Sequence, residues 1–290
     1  MSFKIVVLAK QVPDTRNVGK DAMKEDGTVN RAALPAIFNP EDLNALEMAL
    51  HIKDQLEDVH ITLVTMGPPR AAEIVRDALF RGADDGIVVS DRKVAGSDTL
   101  ATSYMISQAI KKVGNVNLIL AGRQAIDGDT AQVGPQVAEK LEIPQITYAE
   151  EVLDINKDTI KIKRRLERGV EVVEASFPCL VTVHGSAKEC RSYHAKRLMK
   201  YKNALSVSEA TGKGLDVDKI FAERPYLKIE EWCAKDCDAI DSRIGLIGSP
   251  TKVKKIENVV LTQKDNIQLS SSDEDINMLM KQLISSHILG

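Results

Sequence analysis

The residues best suited to chemistry lie in one glycine-rich stretch near the middle of the chain, GRQAIDGDTAQVGP at 122–135. An apolar run of strand length, 116–121, comes directly before it. A helix is predicted from Val133 to Leu141, with Pro135 in its first turn, where the missing N–H breaks no hydrogen bond. The stretch is therefore predicted to be a strand–loop–helix junction at the carboxyl end of a strand, where open parallel sheets bind ligands.

Three features of this stretch suit a phosphate-bearing ligand. Its glycines let the backbone approach a bound molecule closely. Asp129, Thr130 and Gln132 lie where the helix N-terminus exposes unpaired N–H groups, which commonly bind phosphate. Asp127 and Asp129 are acceptors, suited to a helix cap or to ribose and adenine groups. Spacing alone leaves two interpretations open: a glycine-rich turn with helix caps, and a nucleotide clamp.

Composition narrows the class of protein. The chain has 290 residues, of which 43% are hydrophobic and 28% charged, enough for a sizeable core in one large domain or two modest ones. The net charge is −3 and aromatic residues make up only 4%, so nucleic acid is not an expected partner. Four irregularly spaced cysteines do not form a disulfide framework, and the gap between Cys233 and Cys237 does not suit a metal, so no metal site is expected.

The chain shows no sign of a membrane segment. No apolar run reaches spanning length, and the start at Met1 lacks the profile of a signal peptide. A cytoplasmic location is therefore expected, and a membrane is not an expected partner.

Strand and helix patterns alternate through the first half of the chain. Buried strands are predicted at 4–9, 60–66, 86–90 and 116–121. The first intervening helix starts at Asn39-Pro40, with Asn39 as its cap, and a later one runs from about 100 to 113, with Ser97 or Asp98 as its cap. This alternation predicts an α/β fold with a doubly wound, mostly parallel sheet of the Rossmann-like nucleotide-binding kind.

The loops after these four strands are expected to meet at one edge of the sheet. They are 10–15, 66–69, 90–99 and 122–130, and each contains glycine, proline or small hydroxyl residues. The first strand is not followed by G-x-G-x-x-G, and no P-loop is present, so neither a standard dinucleotide fingerprint nor a Walker-type kinase is supported.

After Pro144 the pattern changes. Short alternating runs predict an added antiparallel hairpin, followed by a buried strand at 177–183. Residues 1–202 are expected to form the nucleotide-binding domain. Residues 203–290 are poor in apolar residues and are expected to form an extended C-terminal arm that wraps a partner. The arm ends in a predicted helix from about 272 to 288 with an apolar stripe on one face.

Several separated motifs in order resemble the β subunit of electron transfer flavoproteins. They are Asn39-Pro40, Met66-Gly-Pro68, GRQAID at 122–127, and the segment from Arg164 to Pro178. The resemblance covers the chain to about residue 202. Three further stretches are similar to the electron-bifurcating branch of that family: KQVPDT at 10–15, GDTAQVGP at 128–135 and GSPTKV at 248–253.

The resemblance implies a subunit of a flavin-dependent, NAD-linked oxidoreductase complex of anaerobic metabolism. Family members pair with an α subunit that carries FAD. Ordinary β subunits hold AMP, whereas bifurcating ones hold a second FAD, which takes hydride from NADH and splits the electrons between ferredoxin and a higher-potential acceptor. The expected function is therefore bifurcation, with a non-bifurcating carrier holding structural AMP as the alternative. A third hypothesis, a regulatory nucleotide-binding module, does not account for residues 203–290.

The resemblance also implies a flavin-containing dehydrogenase as partner. Where members linked to acyl-CoA dehydrogenases carry an anchoring leucine, this chain has Ala195. An anchor leucine buries area worth about 1.5–3 kcal/mol, so its absence weakens an acyl-CoA dehydrogenase as the partner. A lactate-type dehydrogenase or an enoyl-CoA reductase remains open.

Cofactor-binding positions follow by match to the family. Those expected at the adenosine and phosphate part are Leu8, Ala9, Lys10, Asn39, Met66, Gly67, Gly122, Arg123, Gln124, Asp127, Gly128, Asp129, Thr130, Ala131, Gln132 and Val133. Those expected towards the isoalloxazine are Ser90, Asp91, Arg92, Ser97, Asp98, Thr99 and Thr102. Arg92 is expected to tune the flavin by stabilising its reduced anion. The alternative for Arg92 is a solvated surface arginine, and the alternative for 97–102 is a simple helix cap.

Overall fold

The computed structural model describes residues 2–14, 35–252 and 267–289. The chain divides into two compact units, Met1–Val253 and Lys254–Gly290. Residues 16–38 are polar and show little periodicity, which predicts a functional loop or a small hairpin, and most of this segment lies outside the described residues. None of the helices in the described part of the chain is both long and apolar enough to cross a membrane.

The first unit is built from alternating strands and helices, with further strands at its C-terminal end. In chain order they are β1 (Phe3–Leu8), β2 (Gln11–Pro13), β3 (Ala36–Phe38), α1 (Pro40–Gln55), β4 (Val59–Met66), α2 (Ala72–Arg81), β5 (Asp85–Val89), α3 (Thr99–Val113), β6 (Leu118–Gly122), α4 (Val133–Leu141), β7 (Gln145–Ile155), β8 (Thr159–Leu166), β9 (Gly169–Ser176), β10 (Cys179–Val183), α5 (Ala195–Tyr201), β11 (Leu205–Ser206), α6 (Val207–Gly212), α7 (Val217–Glu223) and β12 (Lys228–Trp232).

Within the described residues, ten strands form one sheet in the order β11-β12-β5-β4-β1-β6-β10-β7-β8-β9. Neighbouring strands pair in parallel from β11 as far as β7, and β8 and β9 add an antiparallel hairpin at the far edge. The short strands β2 and β3 pair with each other outside this sheet. The predicted α/β fold with a mostly parallel sheet and an added hairpin is confirmed.

The central strands are buried on both faces, which explains why they read as continuous apolar runs. Along β1, Ile5 and Val7 belong to one hydrophobic cluster and Val6 and Leu8 to another, because successive side chains of a strand point to opposite faces. Helices α1 and α2 contribute to the first cluster, and α3 and α4 to the second. The sheet is therefore covered by a helical layer on each side.

The chain reverses direction across the sheet at β1. It runs from β1 outward through β4 to β5, and α3 then carries it back to β6 on the other side of β1. Strands β1 and β6 are direct neighbours, and Leu8 pairs with Ala121 at their carboxyl ends. Open α/β sheets bind ligands at such a switch point, because the loops leave in opposite directions and open a crevice.

The boundary that the sequence placed at residue 202 lies elsewhere in the structure. Strands β11 and β12 extend the sheet beyond β5, and Ile229 of β12 is 1% exposed. Cys237 and Ile244 are buried against α3 in the second cluster. Residues 205–252 therefore fold with the sheet, although their strands are short and their apolar residues few.

The second unit contains the predicted terminal helix, α8 (Asp273–Ser285), which begins after Ser272. The Ser272 hydroxyl accepts a hydrogen bond from the Asp275 N–H, and three acidic residues in the first turn favour the helix dipole. Its apolar stripe, which includes Ile276, Leu279 and Ile284, is exposed. A helix with an exposed apolar stripe has a face suited to contact with another chain.

Candidate functional site

A cavity of about 640 Å³ opens at the carboxyl ends of β1 and β6. Its size falls in the range of roughly 300–1,000 Å³ that is usual for small-molecule sites. The structure brings the following predicted residues together around it: Leu8, Ala9, Lys10, Met66, Ser97, Asp98, Thr99, Thr102, Gly122, Arg123, Gln124, Gly128, Asp129, Thr130, Ala131, Gln132 and Val133. They come from four loops distant in sequence, which meet because their strands are parallel.

The first turn of α1 holds the glycine-rich loop in place. The Asn39 side chain donates to the Gln124 carbonyl at 2.9 Å and accepts from the Ile126 N–H at 3.1 Å. The Glu41 carboxylate accepts from the Gln124 N–H at 3.0 Å and from the Arg123 guanidinium at 2.9 Å. The prediction that Asn39 caps α1 was wrong in its mechanism: Asn39 stands at the cap position, but its side chain makes no capping bond and binds the loop instead.

Asp42, also in the first turn of α1, lies at the floor of the cavity. Its Oδ2 accepts from the Lys10 N–H at 2.8 Å and its Oδ1 from the Gly122 N–H at 3.0 Å. Burial raises the pKa of this carboxyl to about 7, although the N–H groups of Lys10 and Gly122 and the Asn39 side chain lower it. Sequence analysis missed Asp42, because an acid in the first turn of a helix is ordinarily an exposed group that favours the dipole.

The loop between β6 and α4 is braced by polar side chains of its own and by Lys10 of the loop after β1. The Lys10 ammonium pairs with the Asp127 carboxylate at 2.7 Å, and the Gln124 amide donates to Asp129 at 2.9 Å. Asp129 and Ala131 adopt left-handed backbone conformations, with φ of 49° and 52°. For alanine this conformation costs roughly 1–2 kcal/mol. Backbone strain of this kind is typical of ligand sites.

The two helices that begin at the cavity have different N-termini. The Asp98 carboxylate caps α3 by accepting from the N–H groups of Leu100 and Ala101, and it also accepts from the Thr251 hydroxyl at 2.7 Å. Burial raises the pKa of Asp98, but these hydrogen bonds outweigh it and hold the pKa below its ordinary value. The predicted capping role of Asp98 is confirmed.

At α4, by contrast, no described side chain caps the helix. The Gln132 side chain is engaged elsewhere, because its Oε1 accepts from the Thr99 hydroxyl at 2.9 Å. The free N–H groups of Val133 and Gly134 therefore lie at the cavity wall without a capping side chain. An open helix N-terminus is a ready site for an anion.

The remaining predicted residues lie outside the cavity lining. Asn39 and Asp127 support the loop, as described above. The Gly67 N–H donates to the Val89 carbonyl and continues the pairing of β4 with β5. The Ser90 N–H donates to the Trp232 carbonyl at the end of β12, and the Asp91 carboxylate accepts from the Ala234 N–H at 3.1 Å and so holds the segment after β12.

Arg92 also lies outside the lining. It begins a short 3₁₀ turn after β5, and its side chain is exposed. This placement matches the surface-arginine alternative, in that the guanidinium does not border the cavity described here.

The cavity is also lined by residues that were not among the predicted cofactor-binding positions: Val64, Val94, Gly96, Ile106, Ala121, Ala125 and Thr251. Apart from Thr251, whose hydroxyl donates to Asp98, their side chains are apolar or a single hydrogen and carry no chemical signal. The interpretation of Gly134 as a point of ligand approach needs a correction. A Cβ at Gly134 would lie 2.8 Å from the Thr182 methyl group, so this glycine is needed for packing of α4 against β10.

The cavity therefore offers hydrogen-bond acceptors at its floor, open N–H groups at α4 and apolar surface between them. Asp42 provides the acceptors, and Leu8, Val64 and Ile106 provide apolar side chains. This combination, at the switch point of a doubly wound sheet, is typical of the α/β class that binds nucleotides.

Comparison with known proteins identifies the family. The family described as "Electron transfer flavoprotein domain" matches residues 26–211. The chain is 42% identical to the electron transfer flavoprotein subunit beta of Megasphaera elsdenii over 295 residues, covering 97% of this chain and 100% of the relative. The chain belongs to the electron transfer flavoprotein family, which confirms the resemblance seen in its motifs.

Two further relatives carry names of larger complexes. The chain is 41% identical over 293 residues to the acryloyl-CoA reductase electron transfer subunit gamma of Anaerotignum propionicum, covering 99% of this chain and 100% of the relative. It is 50% identical over 180 residues to a subunit of the caffeyl-CoA reductase–Etf complex of Acetobacterium woodii, covering 62% of this chain and 68% of the relative.

Proposed function

We propose that the chain is the β subunit of a heterodimeric electron transfer flavoprotein and binds FAD in the cavity at the switch point. The observation that carries this proposal is the extent of the cavity, which runs from Lys10 and Asp42 past the glycine-rich loop to Thr102 on α3 and Thr251. The first part suits an adenosine and its phosphates, and the isoalloxazine is proposed to lie along the wall formed by α3.

Different residues of the cavity are proposed to contact different parts of the ligand. The open N-terminus of α4, with Val133 and Gly134, is placed to bind phosphate oxygens. The Thr102 hydroxyl offers a polar contact further along the wall. Thr99, whose hydroxyl donates to Gln132, and Asp98, already bound by N–H groups and by Thr251, hold that wall in place. Leu8, Val64 and Ile106 exclude water from the middle of the site.

The proposed reaction is electron bifurcation. A bound FAD would supply the redox chemistry, which would link the two-electron donor NADH to the one-electron acceptor ferredoxin and, through the FAD of the α subunit, to a partner flavin dehydrogenase. The support is the similarity of the stretch at 128–135 to the bifurcating branch and the relatives named for acryloyl-CoA and caffeyl-CoA reductases. Their names favour an enoyl-CoA reductase as the partner over a lactate-type dehydrogenase. Arg92, on the exposed turn after β5, is proposed to favour the reduced anion electrostatically.

The C-terminal unit is proposed to bind the α subunit. Its helix α8 carries an apolar stripe that is exposed in this chain, and such a stripe is stabilised when another chain covers it. Residues 205–252 are part of the first unit, so this docking role belongs to 254–290 rather than to the whole of 203–290.

AMP remains the alternative ligand, because the same loop and helix N-terminus suit one phosphate as well as two. The test is to copurify the heterodimer, extract its nucleotides and count them. Two FAD per heterodimer and reduction by NADH in the presence of ferredoxin support the proposal. If the heterodimer holds one FAD and one AMP, or if NADH does not reduce the β site, the bifurcating function is wrong and the chain is an ordinary electron-carrier subunit.

A further inference from the structure

The segment that follows β12 lies along the outer side of α3. The Ile240 N–H donates to the Tyr104 hydroxyl at 3.1 Å, and the Arg243 guanidinium lies 4.0 Å from the centre of the Tyr104 ring. Further along, a Cβ built on Gly96 would lie 2.8 Å from the Leu246 side chain, so Leu246 packs directly against this glycine. The segment therefore covers α3 from its first turns to the residues that precede it.

The turn around Gly245 is held in one conformation. The Gly245 N–H donates to the Ser97 hydroxyl at 3.0 Å, and the Ser249 hydroxyl donates to the Gly245 carbonyl at 2.6 Å. Gly245 has a left-handed φ of 58°, and a Cβ at this position would collide with the backbone of the short turn after β5. The turn is thus fixed on both sides, and it carries Leu246 and Ile247 at its tip.

Although the turn is fixed, its apolar side chains face solvent. Ile247 is 82% exposed and Leu246 is 58% exposed, and Ile240 is exposed as well. Leu100, which is exposed on α3, lies one helical turn before Tyr104 and so on the same face. We call Leu100, Ile240, Leu246 and Ile247 the α3 surface. Contiguous apolar side chains that a fixed turn presents to solvent are typical of a protein–protein contact.

Two cations border the α3 surface without a counter-ion. Arg243 stacks on Tyr104, and Lys140 lies near it in the last turn of α4. Burial and the charge of Arg243 lower the pKa of the Lys140 ammonium, although Asp98 and Glu139 raise it. Neither cation forms an ion pair with a residue in the part of the chain that the structure describes. Two like charges held close together repel each other, so this border favours a partner with negative charge.

The α3 surface shares residues with the wall of the cavity. Gly96 contacts Leu246 and also lines the cavity. Ser97, which accepts from the Gly245 N–H, lines the cavity too, and so does Thr251, which follows the fixed turn. A protein bound to the α3 surface would therefore lie close to a cofactor in the cavity.

We propose that the α3 surface, with Arg243 and Lys140 at its border, is the docking site of an acidic electron-carrier protein. The inference rests on the proposed function, which places a redox cofactor in the cavity, and it adds the place at which electrons leave the chain. NADH, the proposed donor, supplies the electrons, the oxidised carrier accepts them one at a time, and no covalent bond forms between the proteins. Redox partners associate through small interfaces, below about 1,200 Å² in total, which four apolar side chains and two cations are enough to anchor.

The test measures binding of oxidised ferredoxin, an acidic iron–sulfur protein, to the copurified heterodimer by calorimetry. We expect Arg243→Gln and Lys140→Gln each to weaken binding about fivefold at low salt and to reduce its sensitivity to added salt, because a charge that steers the partner is lost. Lys140→Gln leaves the stacking on Tyr104 intact and so applies even if Arg243→Gln does not fold. Ile247→Ser should weaken binding about tenfold at low and high salt alike, since salt does not screen an apolar contact.

Matched controls make the same changes at exposed positions on other elements. Lys157→Gln removes a positive charge in the turn between β7 and β8, and Leu215→Ser removes an apolar side chain in the loop between α6 and α7. Both controls should bind ferredoxin as tightly as the wild type. Cytochrome c, a basic haem protein, is the control for the partner, and it should not bind.

Several results would overturn the docking site. They are a wild-type heterodimer that binds no ferredoxin or binds cytochrome c equally well, α3-surface variants that bind as the wild type does, and equal losses in the control variants. If Ile247→Ser no longer copurifies with the α subunit, the surface belongs to that subunit and the proposal is wrong. Flavin content and reduction by NADH, measured on the same preparations, should be unchanged in every variant. A wild-type heterodimer without flavin at the β site refutes the proposed function, whereas the ferredoxin titration decides the docking site separately.

Discussion

The backbone of Gly122 lies directly against the side chain of Asp42. The Gly122 N–H donates to Oδ1 at 3.0 Å, and a Cβ built on Gly122 would lie only 2.4 Å from that oxygen and 2.7 Å from the Asp42 backbone nitrogen. The first glycine of the loop is therefore needed for contact with α1, which is a different reason from close approach to a ligand.

Replacing Gly122 with alanine should destabilise the chain. Because the new methyl group meets backbone and a buried carboxylate, the loop or α1 must move, at a cost of about 1–3 kcal/mol. Urea unfolding of the purified chain measures this loss. The matched control is Gly128→Ala, since a Cβ at Gly128 meets nothing within 4 Å among the described residues. Equal stability of the two variants would refute the packing role of Gly122.

Replacing Gly128 with valine should empty the site without harming the fold. The space around Gly128 is open within the described chain, so stability should stay within about 0.5 kcal/mol of the wild type. The valine side chain would, however, occupy room that the ligand needs beside the loop. Flavin content of the purified heterodimer is the measurement. A variant that keeps two flavins per heterodimer would show that the loop at 122–133 does not hold the cofactor.

Asp42 should make stability depend on pH. Its pKa is raised by burial to about 7, with a smaller contribution from the negative Glu41, while the N–H groups of Lys10 and Gly122 and the Asn39 side chain lower it. Folding therefore favours the neutral form of Asp42. Its contribution to the free energy of unfolding is fully present at acid pH and is lost as the pH rises to about 7. Relative to Asp42→Asn, the wild type should lose about 3 kcal/mol of unfolding free energy between about pH 5 and pH 8. A difference that stays constant across this range would contradict the raised pKa.

Two truncations should separate folding from partner binding. A chain ending at Lys202 loses β11, β12 and the buried Ile229 and Cys237, so it should be markedly less stable. A chain ending at Lys252 retains these elements of the first unit and should stay folded, but it should no longer copurify with the α subunit, because α8 is gone. Pull-down of the α subunit by each truncated chain, alongside circular dichroism, gives the result. Normal pairing of the Lys252 truncation would rule out docking through 254–290.

Arg92→Ala should change the reduction potential of the bound flavin but leave flavin binding largely unchanged. Its guanidinium is exposed and outside the cavity lining, so flavin content should be unchanged, whereas loss of its positive charge should lower the reduction potential of the bound flavin if the proposed electrostatic role is correct. Lys93→Ala is the control, because Lys93 is also exposed and its ammonium pairs with Asp241 at 2.7 Å. Spectroelectrochemical titration of the heterodimer measures the flavin reduction potential in Arg92→Ala and in Lys93→Ala. Equal shifts, or none, would show that Arg92 has no specific role.

Local patterns were enough to predict the α/β sheet and the edge at which the cavity opens. Continuous apolar runs identify strands that are buried on both faces, and glycine or proline marks where they end. Parallel strands place their carboxyl ends together, so the loop after β1 and the loop at 122–133 were expected to meet before any contact was known. The capping of α3 by Asp98 is equally local, since donor and acceptor are two or three residues apart.

The amino-acid sequence by itself thus determined the alternating elements of the first half of the chain, their order and the side of the sheet that carries the site, because these depend on interactions between near neighbours in the chain. Only the tertiary structure decided that Asn39 binds the loop, that Asp42 joins β1 to β6, and that Gly134 makes room for Thr182. The first two sets of contacts join residues 32 to 85 positions apart, and the third depends on the spacing of packed layers. The same reason explains residues 205–252: their few apolar residues are stabilised by the edge of a sheet that the remainder of the chain has already formed.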